Sequence, residues 1–462
     1  MRIHIPDKVN RIIEQLTKNG YEAYAVGGCV RDIMLGRTPE DWDITTSAKP
    51  AEIKKLFRRT IDTGIQHGTV TVLMDKEHYE VTTYRLDGEY EDNRHPKEVQ
   101  FTASLEEDLK RRDFTINAMA YNDTDGLMDL FGGLEDLDAG LIRCVGDAGE
   151  RFDEDALRIL RAIRFSAQLG FRIEKATMEA IRDKAELLRN ISAERIRAEL
   201  TKLIISDHPD RLRLLYEAGI TAVVLPEFDV MMRTGQQNIH HAYSVGEHTV
   251  RAVASVAGSL SENRFNLRER TILRWTMLLH DVEKPNTKSR GKDGQDHFYG
   301  HQEKGAMTAK RILKDLKFDN DTLNAVVHLI RWHDYRFTLT PPGMRKAASK
   351  IGREYMDLLF EVNHADTSGK NPKNNGEKYR RLEEARRLYR EIVSQGDCVS
   401  LKELNLNGKD LLAEGFPPGK DLGEILNRLL AKVLEDPSLN QKDKLLSLAM
   451  EIRSRMTAED IR

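Results

Sequence analysis

Two acidic residues, Asp41 and Asp43, stand two positions apart in the stretch DWDI. On a β-strand that spacing puts both carboxylates on one face, where they can bridge two divalent ions about 3.5 to 4 Å apart. Two ions so held suit transfer of a phosphoryl or nucleotidyl group, because the attacking oxygen and the leaving pyrophosphate both carry negative charge in the transition state. Alone, such a pair is also what a solvated turn looks like. Upstream, Gly27 and Gly28 interrupt an apolar run, and Arg31 follows one turn later. Glycines let backbone N–H groups approach a phosphate, a helix N-terminus favours the anion, and an arginine can fork onto phosphate oxygens. Turn, arginine and acids fall within seventeen residues, a density that a plain strand-to-helix turn does not require. Glu80 offers a third carboxylate, or is an ordinary exposed strand acid.

These residues need a scaffold, and the surrounding pattern supplies one. YAVGG, VRDIML and DWDI read as strand, helix and strand. TVTVLM (69–74) and YEVTTY (79–84), joined by Asp75 to His78, alternate as a hairpin with one buried face. After about residue 150 the strand signals fade, and segments such as DEDALRILRAIRFSAQL place apolar residues at spacings of three and four, the period of helices. Gly219, Pro226 and Gly235 punctuate one junction, and the polar stretch 367–378 reads as a linker.

A second constellation lies further on. His248, the pair His280 and Asp281, His301, His333 and Asp366 fall on separate helix-like segments, as in metal sites built inside helical bundles. Mixed imidazole and carboxylate ligands suit manganese, iron, nickel or a similar divalent ion. His240, His241, His297 and His328 read as surface or supporting groups.

The stretch GGCVRDIMLGRTPEDWDITT resembles the first signature of the class II nucleotidyltransferases, the family of bacterial and eukaryotic CCA-adding enzymes and bacterial poly(A) polymerases. RRDFTINAMA (111–120) resembles the family's ribose-selecting element, which implies that Arg112 and Asp113 face the sugar. EDALRILRAIRF (154–165) resembles the element that reads the incoming base. Asp155 offers acceptors and Arg158 donors, and one helix presenting them a turn apart can satisfy the Watson–Crick edge of cytosine or adenine. The resemblance implies that Arg161 and Arg164 help hold the phosphates. The segment with Arg85, Asp92, Arg94 and Pro96 resembles the flexible loop of enzymes that add the terminal adenosine. ISAERIRAEL (191–200) resembles the next helical element, with Glu194 and Arg195 as braces. LKELNLNGKDLLAEGFPPGKDLGEILNRLLAKVLEDPSLN is similar to the tail of bacterial CCA-adding enzymes, implying a grip on tRNA by shape. The histidine order resembles the HD phosphohydrolase domain, with Glu283 where that family commonly has glycine and Lys284 as a phosphate contact.

Composition sets the bounds. The 462 residues, 40% hydrophobic and 32% charged, are too many for one core and suit two to four domains. A net charge of −3 does not suit an unspecific polyanion binder, but Lys110 to Arg112 and Arg158, Arg161 and Arg164 form local basic islands. Cys29, Cys144 and Cys398 show no CxxC spacing, so we expect buried free thiols. No run of eighteen apolar residues and no signal-like start appear, and a soluble, cytoplasmic protein is expected.

The expectation is therefore an α+β chain with a nucleotidyltransferase head (1–140), a helical base-recognition neck (141–225), an HD-type metal domain (226–370) and a tRNA-binding tail (371–462). The resemblance implies addition of CCA to tRNA from CTP and ATP with two Mg2+ ions in the head, and a divalent transition metal in the HD domain. Alternatives are an A-adding enzyme or poly(A) polymerase of the same family, or an HD phosphohydrolase with an RNA-binding head. Oligomeric state is not legible.

Overall fold

The computed structural model describes residues 3–87, 99–236, 243–256, 264–292, 294–370 and 375–459. Asp92, Arg94 and Pro96, together with His240, His241 and positions 371–374 of the expected linker, lie outside the described residues. The chain forms two compact units, one of Met1–Val230 with Asp315–Lys317, the other of Met231–Lys314 with Phe318–Arg462.

The first unit opens with a mixed seven-stranded sheet. Its strands are β1 (Ala23–Val26), β2 (Asp43–Thr46), β3 (Thr60–Gly64), β4 (Thr69–Met74), β5 (Glu77–Thr83), β6 (Met119–Asn122) and β7 (Gly126–Asp129), in the order β3-β4-β5-β2-β1-β6-β7. β2 and β5 run parallel, with Asp43 opposite Glu80; the other pairings are antiparallel. All four residues of β1 are buried, as expected of a central strand. The expected hairpin is β4–β5, closed two residues earlier than its sequence suggested: Asp75 and Lys76 both take positive φ (49° and 71°), the backbone of a type I′ turn, so pairing resumes at Glu77. The helix Asp7–Thr17 buries Val9, Ile12, Ile13 and Leu16. Tyr24, Val26, Tyr84, Leu105, Leu109, Ala118, Ala120 and Val145 form one core cluster under the sheet's central strands.

Beyond the sheet the described residues of this unit are mostly helical, with two short strand pairs, Arg85–Asp87 with Val99–Phe101 and Leu141–Ile142 with Arg172–Ile173. One expectation is corrected here. Asp155 and Arg158 do not share a helix, because the chain breaks between Ala148–Glu154 and Leu157–Leu169, and Asp155 takes an extended conformation (φ −136°, ψ 101°) as the cap between them.

The second unit is a helical assembly whose strands, among the described residues, are the short pair Ser289–Arg290 and Asp296–His297. Five of its helices, Val245–Ser255, Leu267–Leu279, His301–Asp315, Asn320–Trp332 and Met356–Ser368, carry or abut the histidine cluster. Cys29, Cys144 and Cys398 are free and buried, as expected. Among the described residues no helix is long and apolar enough to cross a membrane.

Candidate active site and metal centre

The turn after β1 is built on a conformation only glycine tolerates. Gly27 has φ 80° and ψ −126°, caps the helix Gly28–Met34 and donates its N–H to Met119 O at 3.1 Å. A Cβ here would lie 2.9 Å from Arg112 Nη1 and 3.6 Å from Asn117 O. The Arg112 guanidinium therefore lies directly against the turn. Its Nη2 reaches Asp108 Oδ2 at 3.4 Å, while its buried Nε has no hydrogen-bond partner. A cation with unspent donor capacity beside a glycine turn suits an arriving anion.

Asp43 begins β2, whereas Asp41 lies two residues before the strand, so the two acids do not share a regular strand as the spacing suggested. They still share one electrostatic neighbourhood. Shielding by the surrounding protein pushes the Asp43 carboxyl up, Arg112 pulls it back, and Asp41 pushes it up again, even though Asp43 keeps exposed surface. Glu80, in register with Asp43, is pushed up by burial and then by Asp43 and Asp41. Glu80 is thus no isolated strand acid. Neighbouring carboxylates of this kind fit a divalent cation, which would relieve their repulsion.

The remaining predicted groups form a bonded array. Arg31, 8% exposed, donates from Nη1 to Asn117 Oδ1 at 2.6 Å and from Nε to Asp32 Oδ1 at 2.9 Å. Asp113 accepts from the Phe114 N–H (2.8 Å) and Asn117 Nδ2 (3.1 Å) on one oxygen, and from Arg161 Nε (2.8 Å) and Nη2 (2.6 Å) on the other. Burial opposes its charge, but Arg161 and Asn117 hold its carboxyl well below the usual range. Arg164 is buried against Glu199 at 2.5 Å and Gln168 at 2.7 Å, with its guanidinium 3.9 Å from the Phe165 ring centroid. These contacts are those of a packed brace. Asp155 caps the Leu157 N–H at 3.0 Å and accepts from Arg195 Nη2 at 2.9 Å, so Arg195 braces the start of the helix Leu157–Leu169, while Glu194 is exposed. Arg158 bonds Glu154 at 2.5 Å, Arg151 O at 3.1 Å and Arg111 O at 2.8 Å.

Sequence reasoning passed over Asp108. Fully buried, it holds Arg111 at 3.0 and 2.7 Å and Arg112 at 3.4 Å, and accepts from Thr45 Oγ1 on β2 at 3.0 Å. Its signal was the spacing D-x-x-R-R, which aligns one acid with two arginines at i+3 and i+4 on a helical turn.

In the second unit all six expected ligands converge. His248 Nε2 lies 3.2 Å from His280 Nε2, 3.1 Å from Asp366 Oδ1 and 3.4 Å from Asp281 Oδ2. His301 Nε2 and His333 Nε2 are 3.2 Å apart, and stand 3.7 and 3.8 Å from Asp281 Oδ1. Asp281 therefore lies between two ligand groups, one oxygen toward each. The rings are aimed by local backbone: His280, His301 and His333 each turn Nδ1 to the carbonyl three residues back (Met277, Phe298, Ile330) at 2.7 Å. With Nδ1–H so committed, the facing Nε2 atoms of His301 and His333 in neutral rings are both acceptors, and two lone pairs at that distance need a shared cation. Asp281 is wholly buried with neither oxygen hydrogen-bonded; Lys284 Nζ comes within 2.7 Å of Oδ2 without hydrogen-bond alignment. Both features fit a divalent ion. Against burial, Asp281 and Asp366 push His280 up to about 9, whereas burial and His280 hold His333 down to about 3.

Two neighbours, Glu283 and Lys284, bear on this centre. Glu283 is drawn away to Thr308 Oγ1 (2.7 Å) and Asn286 Nδ2 (3.0 Å), so it adds no ligand. Lys284 is buried and its ammonium faces Asp281, where an expected phosphate contact would have to compete.

The chain is similar to known proteins over nearly its whole length. Residues 23–143 match the poly(A) polymerase head domain, 170–232 match the element described as an RNA- and SrmB-binding site of polymerase A, and 302–449 match tRNA nucleotidyltransferase domain 2. The chain is 34% identical over 445 residues to the CCA-adding enzyme of Enterococcus faecalis, covering 96% of this chain and 95% of that one. With the CCA-adding enzyme of Lactiplantibacillus plantarum it shares 36% over 444 residues, 95% and 94% of the two chains. The structure of the Bacillus stearothermophilus CCA-adding enzyme in complex with CTP superposes with a TM-score of 0.71 at 31% identity, covering 97% and 98%. The protein belongs to the class II nucleotidyltransferase family, among its CCA-adding members.

Proposed function

We propose that this protein completes the 3′ ends of tRNA, transferring CMP from CTP and AMP from ATP without a nucleic-acid template and releasing pyrophosphate. The observation that carries the reading is Arg112 lying against the Gly27 turn on the same rim as Asp41, Asp43 and Glu80. In the reaction the RNA 3′-oxygen forms a bond to the α-phosphorus while the bond between that phosphorus and the bridging oxygen of pyrophosphate breaks, and the hydroxyl proton passes to solvent. Divalent ions held by Asp41 and Asp43, two Mg2+ in this reading, supply acidification of the hydroxyl and neutralisation of the leaving group when bound.

The chain's own groups do the rest. The Gly27–Gly28 turn and Arg31 receive the triphosphate; Arg112 and Asp113 face the ribose; Arg161 and Arg164 fix the floor of the pocket. Asp155 and Arg158 read the base edge, Arg158 exchanging its bond to Glu154 for one to the base. We assign residues 1–140 to transfer, 141–225 to base recognition, 226–370 to the HD-type centre and 371–462 to grip on tRNA, and place the protein in the cytoplasm, where tRNA matures.

We further infer that His248, His280, Asp281, His301, His333 and Asp366 hold a divalent transition metal, manganese, iron or nickel by ligand type. The two centres are separable by experiment. Asp41→Ala with Asp43→Ala is expected to abolish nucleotide incorporation and leave metal binding by the histidine cluster intact; incorporation that survives both changes refutes the proposed transfer site.

A further inference from the structure

Asn117 lies inside the ribose-type element, between its arginine and aspartate partners. It is 6% exposed and ends the short turn Thr115–Asn117. Its amide spans two charged groups: Oδ1 accepts from Arg31 Nη1 at 2.6 Å, and Nδ2 donates to Asp113 Oδ1 at 3.1 Å. The orientation follows from chemistry, since a guanidinium only donates and a carboxylate only accepts. Its own backbone carbonyl lies under Gly27, 3.6 Å from where a Cβ would be.

One continuous hydrogen-bonded chain results: Asp32, Arg31, Asn117, Asp113, Arg161. Both arginines also lie against the Phe165 ring, at 5.1 and 5.4 Å from its centroid, so their guanidiniums are fixed from a second side. The amide is the neutral link in this chain, and it needs one donor and one acceptor on a short side chain. Aspartate keeps the acceptor for Arg31 but sets a second carboxylate against Asp113. Alanine removes both bonds. The turn itself has other anchors, Thr115 Oγ1 to Asp136 Oδ2 at 2.6 Å and Thr115 N to Arg143 O at 3.0 Å, so its backbone does not depend on the amide.

We propose that Asn117 is a positioning residue that locks the phosphate-side Arg31 to the ribose-side Asp113, so that the choice of ribonucleotide over deoxyribonucleotide depends on it. The proposal rests on the transferase reading. Positioning of this kind acts on which sugar is accepted, and a residue that merely supports the fold lowers CTP and dCTP use together.

The test measures kcat and KM for CTP and for dCTP on tRNA lacking its CCA end, in the full-length parent and in Asn117→Asp. The expected result is a CTP-over-dCTP preference reduced about tenfold or more, the factor one hydrogen bond to a charged group carries, with KM for CTP raised. Should Asn117→Asp not fold, Asn117→Ala decides by the same ratio. A parent that transfers nucleotide while the folded variant keeps the parental preference overturns this assignment alone; a parent that transfers nothing overturns it together with the transferase reading.

Discussion

Arg161 grips Asp113 with two converging hydrogen bonds, Nε at 2.8 Å and Nη2 at 2.6 Å, to a single carboxylate oxygen. The pair joins the ribose-type element to the helix Leu157–Leu169, with Asp113 8% exposed. Asp113→Asn keeps the shape and removes the charge. We expect it to lower stability by about 2 kcal/mol, below the range for fully buried pairs because Arg161 is partly open to solvent. The sign of the pH effect follows from the depressed Asp113 carboxyl. Its stabilisation is complete above the ordinary aspartate pKa of about 3.9 and fades as pH falls below it. Urea melts of parent and variant should therefore differ most near neutrality and converge on acidification.

Asp43 and Glu80 titrate in the opposite sense. Both are raised, by burial first and then by a neighbouring carboxylate (Asp41 for both, Asp43 for Glu80), so the cost of ionising them is absent when they are protonated and grows as pH rises above the ordinary carboxylate range. Asp43→Asn is expected to leave the melting temperature unchanged or higher in Mg2+-free buffer while incorporation falls by about a thousandfold or more. Mg2+ should raise the parent's melting temperature more at pH 8 than at pH 5. An Mg2+ effect independent of pH would contradict the carboxylate site.

Gly27→Ala places a methyl group 2.9 Å from Arg112 Nη1 at a backbone φ of 80°. The positive φ costs about 1 to 2 kcal/mol for a non-glycine residue, and the Arg112 guanidinium must shift. Steady-state kinetics should show KM for both CTP and ATP raised about tenfold or more. A variant with raised KM for only one nucleotide would show that the turn serves the base, not the shared triphosphate.

The histidine cluster predicts a metal effect independent of transfer. Manganese at a hundred times its Kd should stabilise the folded protein by about 3 kcal/mol, read as a thermal shift reversed by chelator. His333→Ala, which removes one of the two facing imidazoles, should abolish most of that shift and leave nucleotide incorporation intact. Incorporation lost in His333→Ala would mean the two centres are not separable.

What the sequence made legible follows the range of the interactions. The glycine turn, the hairpin and the histidine ligands showed because they depend on local backbone or on residue types that few other roles demand. Gly27 needs its positive φ, and His280 and His333 sit at the C-terminal ends of helices where Nδ1 meets a carbonyl. The break at Asp155 was hidden because EDALRILRAIRF keeps helical periodicity across it, while the Arg195 contact to the extended cap comes from a distant helix. The resemblance implied a phosphate contact for Arg164, yet Glu199, thirty-five residues on, pairs with its guanidinium. Asp108 and Asn117 each join local partners to a remote one, which the sequence does not show: Asp108 links Arg111 and Arg112 to Thr45, and Asn117 links Asp113 to Arg31.

The most direct test of the central claim supplies purified protein and Mg2+ with tRNA lacking its terminal trinucleotide, and with CTP alone, ATP alone, or both, resolving products at single-nucleotide length. Two additions are expected with CTP alone and a third, ending in adenosine, only when both are present. Long A tracts from ATP alone, or no extension under any condition, would contradict it.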